Sequence, residues 1–240
     1  MKNRISLLFV IVAVVCTSVL SSCHIGCIKG SGNEASETRK TGDFSKIDIS
    51  GGFKITLKQD TSKSLVVTTD ENLMKYVRTE VGGGKLRILT RKNICNDAPI
   101  AITLNVGAIN EIIGSGAVEL ASEGRINTQN LKLQFSGASK VNMDVSAADV
   151  KTETAGAAEI VLKGQAASHN VEISGVGKLQ AFDFVVGNYK INTSGSADCE
   201  INVLKSLVVN TQGASDIKYR GNPTKVETEK SGAASVKKVD

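Results

Sequence analysis

Between residues 114 and 236, apolar and polar positions alternate in short stretches, and successive stretches meet at a glycine. Before the glycines come Leu131, Leu133 and Phe135, then Val171 and Ile173, then Tyr189, Ile191 and Thr193. After them come sets such as Val141, Met143, Val145 and Cys199, Ile201, Val203. A period of two marks a strand with one buried face. The junction itself repeats seven times, for example as Ser115-Gly116-Ala117-Val118-Glu119-Leu120, Ser136-Gly137-Ala138-Ser139-Lys140-Val141 and Ala155-Gly156-Ala157-Ala158-Glu159-Ile160. Its glycines (116, 137, 156, 175, 195, 213 and 232) are 21, 19, 19, 20, 18 and 19 residues apart. A fixed period near 20 with strand-like flanks predicts coils stacked into a solenoid. At each corner the backbone turns sharply and neighbouring coils lie about 4.8 Å apart. Glycine supplies the positive φ, and small residues fit where equivalent positions pile up. A bulky side chain at Gly156 or Ala157 would strike its counterparts in the adjoining coils.

The remainder of the chain divides around this array. Residues 43–113 read as an irregular β-rich part. Phe44, Ile47 and Ile49 lead to a turn at Gly51-Gly52, and Phe53, Ile55 and Leu57 then alternate with Lys54, Thr56 and Lys58. Residues 65–69 form another strand, and Asp70 to Val77 one helical turn with Asp70 as its cap. Gly82-Gly83-Gly84 is a tight loop. Within the array, turns are expected at 146–149, at Gly164 to His169, at Gly187-Asn188 and at Gly221-Asn222-Pro223. Lys230, Lys237 and Lys238 make the last coil a charged cap against edge-to-edge pairing. Residues 23–42, polar and punctuated by glycine and serine, read as a flexible tether.

Residues 1–22 form a leader. Lys2 and Arg4 precede an apolar run from Leu7 to Leu20, short for a membrane span but suited to secretion. Leu20-Ser21-Ser22-Cys23 resembles a bacterial lipobox, which implies cleavage before Cys23 and acylation of that residue. Multiple acyl chains give stable anchoring. His24, in place of the Asp that favours inner-membrane retention, points to the outer membrane; which face of it is not written in the sequence. Loss of Lys2 and Arg4 lowers the net charge from +5 to +3, too small a surplus for a dedicated nucleic-acid binder.

Chemistry is sparse. Besides Cys16 in the leader and Cys23, the cysteines are Cys27, Cys95 and Cys199, with no Cys-x-x-Cys pair. Cys199 occupies an apolar slot of the repeat. Cys27 and Cys95 either pair in an oxidising compartment or remain separate. Three residues after each repeat glycine lies a column of Glu119, Lys140, Glu159, Lys178, Asp198, Asp216 and Ser235. In register it forms a stripe of alternating charge, broken by the like-charged Asp198 and Asp216. That pair raises the alternative of a Ca²⁺ site, or of a lyase-like centre with Lys178 as base. His169 falls in a turn and is expected to be solvated. No nucleophile elbow, zinc-protease helix or phosphate loop occurs. The chain has no Trp, three Tyr and six Phe, a poor supply of platforms for sugar rings.

The opening Phe44-x-x-Ile47-x-Ile49-Ser50-Gly51-Gly52-Phe53-x-Ile55-x-Leu57, the Asp70-Glu71-Asn72-Leu73 segment and the serial Ser-Gly-Ala motifs together resemble one family over residues 40–235. It is the head GIN domain family of auto-transporter adhesins, common in Bacteroidetes lipoproteins. The resemblance implies an all-β, right-handed parallel β-helix with coils of about 19–20 residues, preceded by a β-rich segment and filling 43–240 as one domain. It carries over no catalytic residue, cofactor or metal ligand. The expected protein is a non-enzymatic envelope lipoprotein, an adhesin or contact module that presents a β-helix face, held in the membrane at Cys23, with a protein or glycan surface as partner. The alternatives are a carbohydrate-binding or polysaccharide-lyase-like protein, and a structural envelope protein without a specific ligand.

Overall fold

The computed structural model describes residues 26–95 and 98–240. Cys23 and His24 lie outside them. The fold is all-β with mixed strand directions. Its elements are β1 (Ile28–Lys29), β2 (Glu34–Lys40), β3 (Lys46–Gln59), β4 (Ser64–Asp70), α1 (Glu71–Met74), β5 (Val77–Gly82), β6 (Lys85–Thr90), β7 (Ile94–Cys95) and β8 (Ile100–Val106). They continue with β9 (Glu111–Asn127), β10 (Asn130–Arg220), β11 (Lys225–Ser231) and β12 (Ala234–Lys238).

The stack from β3 through β9 and β10 to β11 and β12 is parallel. β3 pairs along its length with β9, β9 with the start of β10, and the end of β10 with β11 and β12. Within the long β10 the glycines themselves are backbone neighbours. A Cβ on Gly156 would sit 2.5 Å from the carbonyl oxygen of Gly137, and one on Gly175 at 2.5 Å from that of Gly156. The inward positions of successive layers merge into one core running from Ile47 to Ile217. Volumes are matched between layers: the space a side chain at Gly114 would need is filled by the Phe135 ring.

The first part departs from a purely parallel arrangement. β4 runs antiparallel to both β2 and β8, and β5 antiparallel to β6, while β6 and β8 pair in parallel with the two halves of β3. The turn expected at Gly51-Gly52 is also corrected. β3 continues through both residues, and Gly51, at φ +127°, lies in register with Gly116. The glycine column therefore has an eighth member, one layer earlier than the sequence repeat suggested. α1 is the expected helical turn, with Leu73 buried beneath it. Asp70 does not cap it; its carboxylate instead accepts the Gly32 N–H at 2.9 Å.

The flexible tether expected over 23–42 is corrected for its described part. Glu34–Lys40 is strand β2, paired residue for residue with β4, and a Ser36–Thr68 hydroxyl pair at 2.8 Å adds to the rungs. Ahead of it, the Asn72 side chain accepts the Ser31 N–H at 3.0 Å and donates to the Lys29 carbonyl at 2.8 Å. The edge of β4 needs partners for its backbone groups, and β2 supplies them. An edge strand exposed on both faces has no reason to alternate, so its composition resembles that of a linker.

Cys27 is bonded to Cys95, with their Cα atoms 5.5 Å apart and a sequence separation of 68. The bridge joins β1 to β7, a pair only two residues long. Constraining so long a loop in the unfolded chain contributes about 2–4 kcal/mol. The double variant Cys27→Ser/Cys95→Ser is expected to lower the urea midpoint accordingly while leaving the far-ultraviolet β signal unchanged. An unaltered midpoint would show that the bridge contributes no stability.

Candidate functional site

The corner stack creates a groove. The residue after each glycine points outward and is small: Ala117, Ala138, Ala157, Ser196 and Ala214, with Val176 as the one larger member at 63% exposure. With so little side chain projecting, the corner is concave over the whole array and encloses about 1370 Å³. Gly52, Phe53 and Pro99 line the first end, and Gly232 to Lys237 the last.

One wall of the groove is the charged column. Register confirms its stacking where strands pair: Lys54 and Lys140 both oppose Glu119, and Asp216 opposes Ser235. Lys54 thus extends the column by one layer. Its alternation is looser than a ladder of ion pairs, since among the described residues only Lys140–Glu159, at 3.9 Å, closes to ion-pair distance within it. Asp216 accepts a hydrogen bond from the Ser235 hydroxyl, and this holds its carboxyl below the usual range, with Lys218 and Lys237 adding to the effect. Its countercharge is Lys218, at 3.6 Å, which also reaches Glu200 at 3.8 Å. Among the described residues Lys178 forms no ion pair with Asp198 or Asp216, and no three His, Cys, Asp or Glu side chains converge as a metal site would require. The column is arranged as a half-exposed border, with one Asp198 carboxylate oxygen buried and unpartnered.

A second, polar groove of about 590 Å³ lies on the other side of the glycine corner. It is built on the residue three before each glycine: Gln134, Glu153, Glu172, Asn192 and Asn210. Asn210 donates to the Asn192 side-chain oxygen at 3.1 Å. Lys151 bonds Glu153 at 2.6 Å and Glu172 at 3.2 Å, and Lys132 reaches Glu153 at 3.0 Å. These contacts push the Lys151 amine up, and the Lys151 hydrogen bond, helped by Lys132, holds the Glu153 carboxyl down against the opposing effect of burial. The ladder neutralises itself. In the sequence it leaves only a polar residue three before each of these glycines, a signal that becomes a ladder once the layers are stacked.

His169 is corrected from a solvated turn residue to a core one, 1% exposed. It lies six residues before Gly175, as Leu131, Val150, Tyr189 and Leu207 lie six before their own glycines, and that column faces inward. Its Nε2 shares a 2.9 Å hydrogen bond with the Thr152 hydroxyl, and its ring packs edge-on against Phe184 and tilted against Tyr189. Burial pushes its pKa down to about 3. Cys199 is buried as expected; burial and then Asp198 push its thiol up to about 12, which makes it an inert filler. The large aromatic side chains are equally withdrawn. Phe53, Phe135, Phe184 and Tyr189 are buried, and Arg220 covers Phe182 at 4.2 Å. The groove therefore offers no aromatic platform.

Three solved structures share this architecture. A "putative adhesin" from Bacteroides fragilis superposes with a TM-score of 0.84 at 22% identity, covering 88% of this chain and 100% of its own. A "putative lipid binding protein" from Parabacteroides distasonis gives 0.72 at 22% identity, covering 90% and 100%. A "putative adhesin" from Parabacteroides merdae gives 0.63 at 22%, covering 89% and 99%. At this identity the likeness is one of fold. No curated protein matches the chain. The family model described as "Putative auto-transporter adhesin, head GIN domain" matches residues 43–223, and the chain, with its glycine-cornered layers, belongs to that family.

Proposed function

We propose that the protein is a non-enzymatic adhesin of the cell envelope, anchored by lipid at Cys23 in the outer membrane. Its layers coil as a right-handed parallel β-helix, and the long corner groove is its contact face. The observation that carries this reading is the groove: one continuous concave surface spans every layer from Gly52 to Gly232, with small side chains along its floor and charge along its wall. A site for a small molecule is compact and lined by a few convergent polar groups. A surface extended over a stack of repeats suits a partner that is itself extended. The family's description as an adhesin head, not an enzyme, agrees. The buried aromatics favour a protein surface over a glycan. The lipobox Leu20-Ser21-Ser22-Cys23 supports the anchor, and His24 after it supports the outer membrane.

Two measurements test this. Protease shaving of intact cells should remove the head; full protection, with control surface proteins digested, would rule out an adhesin. Ala157 is exposed and points away from the adjoining layers, which corrects the expectation that bulk there would strike its counterparts, and Val176 already fills the same column. Ala157→Arg therefore places a long charged side chain on the groove floor without crowding the stack. It is expected to reduce attachment of cells to a basement-membrane extract several-fold while leaving the melting temperature of the purified domain unchanged. Attachment equal to the parent strain in both this variant and a deletion strain would refute the reading.

A further inference from the structure

The disulfide ties the start of the described chain to one end of the fold. Cys27 lies four residues after Cys23, so a lipid on Cys23 holds the bridge within about 14 Å of its attachment point, even with the intervening chain fully extended. Without the bridge, the chain is next held where Lys29 and Ser31 bond the Asn72 side chain, six and eight residues from Cys23 and up to about 22–28 Å away. The bridge therefore shortens the leash.

The other half of the bridge has a defined place in the fold. Cys95 belongs to the loop joining β6 to β8, and those strands pair with the two halves of β3. The loop therefore occupies, one layer before β3, the corner that Gly51 and Gly52 occupy in β3. Residues of this loop, among them Asn93, Ile94 and Pro99, line one cavity together with Gly51 and Gly52, and Pro99 also lines the near end of the groove. At this end exposed Lys29, Lys75, Arg91 and Lys92 outnumber the exposed Glu34 and Glu71, a surplus of the sign that anionic headgroups attract.

We propose that the end of the head bearing the Cys27–Cys95 bridge rests on the lipid surface, so that the groove begins at the membrane and runs outward to the last layer. This rests on the reading that Cys23 is acylated. The glycine column takes seven steps from Gly51 to Gly232, so the far end stands roughly 34 Å further from the lipid. The groove is thereby presented along its length to whatever approaches the envelope, and the floor of small residues stays clear of the bilayer.

The test uses the mature, acylated protein in vesicles of phosphatidylethanolamine and phosphatidylglycerol that carry an acceptor dye on the headgroups. A donor dye is placed at Lys75→Cys near the bridge or at Glu227→Cys in the last layer; Cys199 is buried and does not label. The intact mass of the vesicle-bound protein first reports the acyl chains on Cys23. Energy transfer from position 75 should exceed that from position 227 by at least about twofold, given the height of the stack. In a Cys27→Ser/Cys95→Ser background whose melting shows it folded, transfer from position 75 should fall. Equal transfer from the two ends, or no change on removing the bridge, overturns the orientation while leaving the anchor standing. A mass without acyl chains overturns both.

Discussion

Gly156→Val should lower the melting temperature of the domain by about 10 °C or more. Two penalties add. Gly156 has φ +116°, a backbone conformation that costs a β-branched residue about 1–3 kcal/mol. Its new Cβ would also lie 2.5 Å from the carbonyl oxygen of Gly137 and 3.0 Å from its nitrogen, and backbone atoms in a stacked layer cannot step aside as a side-chain tip can. Relief requires the two layers to part at the corner, which breaks parallel rungs on both sides. A total of about 4 kcal/mol or more follows, at the severe end for single substitutions. In a domain of this size each kcal/mol shifts melting by about 2–4 °C. The matched control is Gly52→Ala. Gly52 precedes Phe53 in the same kind of corner, but a Cβ there meets nothing within 4 Å and its φ is not in the left-handed region. Its melting temperature should stay within a few degrees of the wild type. If both variants melt alike, the glycine column is not held by close stacking.

That contrast shows how much of the fold could be read from the chain. The repeat glycines announce the layers because each solves the same local problem, and the solution must recur every 18–21 residues. Inward sets such as Val141, Met143 and Val145 were legible for the same reason. Ser50-Gly51-Gly52-Phe53-Lys54-Ile55 carries the pattern too, yet 65 residues separate its glycine from Gly116. The cap of β4, β5, β6 and β8 is inserted between them, and a search by period passes over the gap. β2 was illegible because an edge strand owes its form to the partner's unpaired backbone, not to its own apolar pattern. Spacing leaves the bridge open, because pairing depends on the place of Cys95 in a corner loop. The candidate groove was half visible: its floor is the motif itself, while its concavity appears only when layers are superposed. The polar ladder from Gln134 to Asn210 waited on the same superposition.

His169 is the residue whose reading changed most, and its burial predicts the second large effect. Histidine in a glycine-flanked, polar stretch looks like a turn residue, but its distance from Gly175 places it in the inward column. The folded protein holds the ring neutral, with its pKa lowered from 6.5 to about 3 by burial. The unfolded chain binds a proton near pH 6.5, so between about 6.5 and 3 it takes up more protons than the folded state. Stability therefore falls as pH falls through that window and is fully retained above it. At 1.36 kcal/mol per pH unit the loss from this residue reaches about 3 kcal/mol by pH 4. His169→Leu isolates it, because Leu131 and Leu207 occupy the same column in other layers. At pH 7.5 the variant should be less stable by about 1 kcal/mol, since the buried Thr152 hydroxyl loses its partner. Below pH 5 the order should reverse, the variant becoming the more stable protein. Carboxylates such as Glu153 and Asp216, held down by their partners, also weaken the fold in acid, but they do so equally in both proteins and cancel in the difference. Urea unfolding of the pair from pH 7.5 to 4 gives that difference directly. A constant offset across the range would mean that acid reaches the ring without unfolding the layers around it.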